Sequence, residues 1–278
     1  MKHWLIWAIS LALLLVTAPA LAQIDENSDE TYFRLLPEGE TLSEAFDSNT
    51  DSRIYVFNGS QGDVVTISMM PLGSSTLDPY LVLLGDRGQV YAVNDDSDSV
   101  NDAAYGAVIE DFELPTDGSY LVLALTWEGR RSDVGDTEDA PYEFEIGASG
   151  FTQPADREEG HIRYARTVIE IGDSGQLTIS EAEPVYYVTF IGNAGDTVNI
   201  KTRTTGEVND TLLYLFDNNG VRLAVNDDSE GLAAEILDFK LPDDGLYFVM
   251  ATSYDYDTVV DGEWESAGSF GLITERTD

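Results

Sequence analysis

The sequence predicts an all-β protein, two tandem antiparallel β-sandwich domains placed after a signal peptide. Three observations predict it. Short runs rich in Val, Ile, Leu, Tyr and Phe, at 52–57, 64–69, 80–84, 120–125 and 142–146, carry a period of two, and helical stripes are absent. Clusters of Gly, Asn and Asp punctuate these runs about every 8–12 residues, the spacing of short strands joined by tight turns. The chain also repeats itself at an offset near 130, too long for a solenoid unit and long enough for each copy to bury a core of its own.

Taken in order, residues 1–22 begin with Lys2 and His3, run through an apolar stretch from Trp4 to Val16 and close on Ala20, Leu21 and Ala22. That is the pattern of a secretory signal peptide cleaved after Ala22. The stretch is shorter than the about 20 apolar residues that a membrane span needs, and Pro19 interrupts it. A lipoprotein anchor needs a cysteine, and the chain has none. The protein is therefore expected to be secreted, periplasmic or otherwise extracytoplasmic, with no transmembrane segment in the mature chain. Residues 23–33 read as a mobile acidic leader.

The first sandwich is expected over 34–149, a linker with Pro154, Asp156, Arg157, Glu158 and Glu159 over 150–163, and the second sandwich over 164–278. The repeat rests on ordered matches. Gly62-Asp63-Val64-Val65-Thr66-Ile67 is echoed by Gly195-Asp196-Thr197-Val198-Asn199-Ile200, and the run from Asp78 to Leu84 by that from Asp210 to Phe216. Ala92-Val93-Asn94-Asp95-Asp96 matches Ala224-Val225-Asn226-Asp227-Asp228, and the Leu-Pro-x-Asp-Gly before Tyr120 matches that before Tyr247. Gly85-Asp86-Arg87-Gly88 and Asp217-Asn218-Asn219-Gly220 supply hairpin turns, because these residue types tolerate positive φ.

In this order the four motifs resemble those of the bacterial pre-peptidase C-terminal domain, twice over, across about 34–148 and 164–276. The resemblance implies a small jelly-roll-like sandwich on secreted bacterial proteins, often appended to proteases. No peptidase domain accompanies the two copies in these 278 residues, so they are expected to act as modules in their own right.

The repeated Asn-Asp-Asp triplet is the candidate site. Turning the hairpin near Asp86 and Arg87 sets Asp78 opposite Asp95 or Asp96, and the second copy sets Asp210 opposite Asp227, Asp228 or one residue beyond. Like charges facing each other across strands are destabilising unless solvated or given a cation. Asp78, Asn94, Asp95 and Asp96, with Asp98 in the following loop, and Asp210, Asn226, Asp227, Asp228 and Glu230 offer the all-oxygen donor sets that Ca²⁺ takes. Zinc and copper are disfavoured without Cys. The competing reading is a solvated loop start in which Asn and Asp cap backbone groups and discourage edge pairing.

Charge bounds the partners. Fifty-two acids against 14 bases give −38, which repels nucleic acid and anionic membrane surfaces. Trp127 and the aligned Tyr254 and Tyr256 leave equivalent strands and offer a ligand platform for an extracellular glycan or protein; alternatively they plug the end of each sandwich. Beyond the signal peptide the one histidine is His161, and no nucleophile elbow, zinc-protease motif or phosphate loop occurs. The function read from the sequence is a secreted non-catalytic binding, adhesion or stabilising module, calcium-stabilised in one reading. The alternative is an extracellular hydrolase using carboxylates.

Overall fold

The structure, a computed structural model, describes residues 33–47, 51–97, 106–131, 141–152, 167–205, 210–228 and 231–277. Among them the first copy supplies β1 (Arg34–Leu35), β2 (Thr41–Phe46), β3 (Ser52–Gly59), β4 (Val64–Pro71), β5 (Pro79–Gly85), β6 (Val90–Asn94), β7 (Ala107–Glu113), β8 (Gly118–Thr126) and β9 (Tyr142–Ser149). The second supplies β10 (Thr167–Val168), β11 (Ser174–Ile179), β12 (Val185–Gly192), β13 (Thr197–Thr204), β14 (Thr211–Phe216), β15 (Arg222–Asn226), β16 (Glu235–Lys240), β17 (Gly245–Ser253) and β18 (Gly268–Thr277). Two 3₁₀ turns, Glu128–Arg130 and Tyr256–Asp261, follow β8 and β17. No helix among the described residues is long and apolar enough to cross a membrane.

The strands form four sheets. In the first copy the order β1-β3-β8-β5-β6 faces β2-β9-β4-β7; in the second, β10-β12-β17-β14-β15 faces β11-β18-β13-β16, the same topology strand for strand. The ladders are antiparallel except at β1–β3 and β10–β12, where two residues run parallel along the sheet edge before the chain crosses to the facing sheet. Alternation toward a buried face explains β11, where Leu177 and Ile179 point inward and Ser174, Gln176 and Thr178 outward, and β4, where Val65, Ile67 and Met69 are buried between more exposed neighbours.

Each sandwich has its own core, with Phe57, Leu83, Tyr120 and Phe144 in the first and Phe190, Leu215, Tyr247 and Phe270 in the second. A third core lies between them. The outer faces of the two five-stranded sheets meet, Ile54, Val82 and Leu123 from one side packing with Tyr187, Tyr214 and Phe248 from the other. The central strands β5, β8 and β14 are thus buried on both faces, and their sequences are nearly unbroken apolar runs for that reason.

The hairpin turns lock this junction reciprocally. Val185 donates its N–H to the Gly88 carbonyl, and Ile54 donates to that of Gly220. Arg222 and Asp51 form a buried ion pair across the junction, and Arg222 also donates to the Gly129 carbonyl. Phe33, expected in the leader, is buried here and meets Phe248 edge-on at 5.2 Å. At the other boundary Phe151, expected in the linker, is buried in the first core against Phe57. Both residues are claimed by apolar holes that their sequence neighbourhood does not reveal.

Candidate metal centre

The hairpins β5–β6 and β14–β15 carry the Asn-Asp-Asp triplets at their open ends. Their register differs from the expected one in the first copy. Leu81 pairs with Asn94 and Leu83 with Ala92, and the register shifts between Leu83 and Leu84. That bulge moves the continuation of Asp78 one residue beyond Asp96. The second copy has the same bulge, with Leu213 paired to Asn226, so Asp210 continues opposite the residue after Asp228, the last of its expected positions.

The acids still crowd together. Partial burial, then the charges of Asp96, Asp95 and Glu128, push the Asp78 carboxyl above its ordinary value, with Arg130 opposing. Burial, then Asp228, Asp227 and Asp255, push Asp210 the same way, with Arg131 opposing. In the second copy Oδ1 of Asp210 and Oδ1 of Asp255 are both wholly buried and have no hydrogen-bond partner among the described residues. Such oxygens cost free energy unless a proton or a cation reaches them. As they stand, no three acidic or histidine side chains among the described residues converge closely enough to grip a metal ion. Asp98, Glu230 and His161 lie outside the described residues.

Glu128 and Asp255 are the acids that reading the triplets alone missed. Each directly follows an aromatic, Trp127 or Tyr254, whose N–H bonds the carbonyl of Asp78 (2.7 Å) or Asp210 (3.2 Å). The aligned aromatic-acid pair at the exit of β8 and β17 is the signal that points to them. Asn94 and Asn226 have a different task from that expected of a ligand. Their Oδ1 atoms accept the N–H of Val108 and of Glu235, each at 2.7 Å, and their Nδ2 groups donate to the carbonyls of Asp96 and Asp228. They tie the triplet to β7 and β16.

One family match falls on the segment from β12 to β17, which includes the triplet. Residues 185–253 match the bacterial pre-peptidase C-terminal domain. The pre-peptidase C-terminal match thus covers the second sandwich from β12 to β17. A curated relative from Deinococcus radiodurans, named "Probable subtilase-type serine protease", is 30% identical over 200 residues, which is 62% of this chain and 26% of the relative. The chain spans about a quarter of that relative's length. Among solved structures, Aeromonas hydrophila PliG, a periplasmic inhibitor of g-type lysozyme, is similar at 14% identity and a TM-score of 0.28, over 39% of this chain and 96% of that one. The M60 catalytic domain with its CBM51 domains from Clostridium perfringens ZmpB is similar at 7% identity and 0.25, over 87% and 38%. Scores this low carry no argument about fold or function.

The proposed aromatic platform is rearranged by the junction. Tyr256 is 1% exposed and belongs to the core between the sandwiches. Trp127 packs on that core, edge-on to Tyr80, with the Arg130 guanidinium 3.4 Å from its ring centroid. Tyr254 is exposed but has Arg131 over its ring at 4.3 Å. Arg131 also pairs with Asp257 at 2.8 Å, and Asp257 accepts the Tyr80 hydroxyl at 2.7 Å across the junction. Tyr256 and Trp127 thus belong to the seam between the copies, while Tyr254 stays at its edge. Trp264, in the long loop after the second 3₁₀ turn, is likewise a core residue, its indole N–H donated to Ser253.

Proposed function

We propose that this chain is an exported, non-catalytic binding, adhesion or stabilising module in which each sandwich holds a Ca²⁺ ion at the open end of its triplet hairpin. One observation carries the metal reading: the same carboxyl is driven upward in both copies by burial and by its acidic neighbours, and two buried carboxylate oxygens face no donor in the second. Asp78, Asp95, Asp96 and Glu128 would hold one ion, and Asp210, Asp227, Asp228 and Asp255 the other, after side-chain rotation brings them together. Every donor is a hard oxygen, which suits Ca²⁺ and its six to eight ligands. The ion would supply charge neutralisation; no reaction step is assigned to it.

The signal-peptide pattern of residues 1–22, the pre-peptidase C-terminal match over 185–253 and the similarity to a relative named a probable subtilase-type serine protease support an extracytoplasmic location. With Trp127 and Tyr256 committed to the seam, a glycan or protein partner would be met by the remaining surface, of which Tyr254 is the exposed aromatic member. Isothermal titration of the full mature chain with calcium tests the metal reading. Two ions per chain are expected, with one lost in Asp78→Asn and one in Asp210→Asn. A wild-type protein showing no saturable calcium binding would overturn it.

A further inference from the structure

The duplication allows each position of one sandwich to be compared with its counterpart in the other, and on one flank the two differ in kind. Leu42 lies opposite Ile146 across β2–β9, and Ile146 lies opposite Met69 of β4. Gly175 lies opposite Leu272 across β11–β18, and Leu272 opposite Thr202 of β13. Gly175 is therefore the counterpart of Leu42. By the same registers Val188 replaces Tyr55, Leu177 replaces Glu44 and Tyr186 replaces Arg53.

In the first sandwich this flank is shut. Leu42 packs on the core, Tyr55 is fully buried, and the Glu44 carboxylate binds Arg53 at 3.0 Å and Arg34 at 2.8 Å across the opening. In the second sandwich the same flank opens into a cavity of about 380 Å³ walled by Ile169, Leu177, Tyr186, Val188 and Leu272. A Cβ built on Gly175 meets nothing within 4 Å, so the space that Leu42 fills in one copy is vacant in the other. The volume lies within the ~300–1,000 Å³ of small-molecule sites, and apolar walls with few polar groups are what such sites present.

The mouth decides the charge of the occupant. Asp173 sits there, its carboxylate held by the Glu170 N–H at 3.0 Å, together with Ser174 and Gln176, and none of the described lining residues is basic. A chain of net charge −38 further concentrates cations and repels anions. We propose that this flank of the second sandwich binds a small organic cation, an ammonium head at Asp173 and a branched aliphatic or phenyl body in the space that Leu42 fills in the first.

Phenethylammonium and its anionic match 3-phenylpropionate, titrated into the full mature chain at 0.15 M salt and followed by NMR, test this. The cation is expected to bind saturably with Kd in the millimolar range, as a ligand of its size allows. Binding is expected to weaken at least tenfold in Gly175→Leu and severalfold in Asp173→Asn, with no saturable binding of the anion. Val188→Tyr, which restores the first copy's own residue, blocks the cavity independently should Gly175→Leu fail to fold. Absence of saturable binding to the wild type, undiminished affinity in the two blocked variants, or binding that follows salt alone as ion exchange on the acidic surface would each overturn the proposal.

Discussion

Gly88 and Gly220 show how little room the junction leaves. Both have positive φ, 86° and 76°, and a Cβ on either would meet the backbone of the opposite sandwich, the Val185 carbonyl at 1.8 Å or the Ile54 carbonyl at 2.6 Å. Gly88→Ala is therefore expected to cost at least about 2 kcal/mol in urea unfolding, from φ strain and steric displacement together. Gly62→Ala, also at positive φ but with open space around it, isolates the strain. Asp78 and Asp210 give a pH prediction. Their carboxyls titrate higher in the folded than in the unfolded chain, so the folded state binds more protons in the window just above the ordinary aspartate value of 3.8. Their contribution to stability consequently rises as pH falls through the folded value and is lost again as pH rises. In EDTA, the melting temperature of Asp78→Asn/Asp210→Asn is expected to respond less to pH in the window just above the ordinary aspartate value than that of the wild type. The equivalence of these residues was legible in the repeat. The structural duty of Asn94 and Asn226 was not, because a backbone N–H brought from another strand leaves no trace in local sequence.

At the scale of elements, the edge strands β7 and β16 each carry an Asp in left-handed backbone, Asp111 and Asp238, both at φ 50°. They sit where the ladders to β4 and β13 shift register, and their N–H groups bond Thr66 Oγ1 at 3.3 Å and Asn199 Oδ1 at 2.6 Å. Such a bulge twists an open edge away from further pairing. Asp tolerates this conformation and a β-branched residue does not, so Asp238→Val is expected to destabilise by about 1–2 kcal/mol while Asp238→Gly stays near the wild type; equal midpoints for the two would contradict the strained bulge. The strands at 52–57, 64–69, 80–84, 120–125 and 142–146 and the two hairpin turns were readable from composition and turn chemistry, whereas β2, β6 and β7 were not. The hairpin register was not, since the bulge after Leu83 adds a residue that no turn signal announces. The emptied flank beside Gly175 became visible only when registers gave each residue its counterpart.

At the scale of the molecule, four sheet layers enclose three cores, and the middle core makes the two copies interdependent. The unbroken apolar runs 80–84, 121–125 and 212–216 break the period of two expected of these strands, and that departure already carried the information, since a sandwich with one solvated outer face would have alternated there. What they could not name was the partner, which is the other copy. Removing Asp51 from Arg222 leaves a buried cation uncompensated, so Asp51→Ala is expected to cost about 3–5 kcal/mol and to lower one shared unfolding transition in calorimetry, whereas two separate transitions would show that the copies unfold independently. The central claim, that the duplicated acidic ends are cation sites in an exported sandwich module, is tested most directly by thermal unfolding in EDTA and then in about 10 mM calcium. With Kd near the ~10⁻³ M of extracellular calcium modules, each site adds about 1.4 kcal/mol, and the midpoint rises by several degrees, a rise absent from Asp78→Asn/Asp210→Asn. An unchanged wild-type midpoint would contradict it.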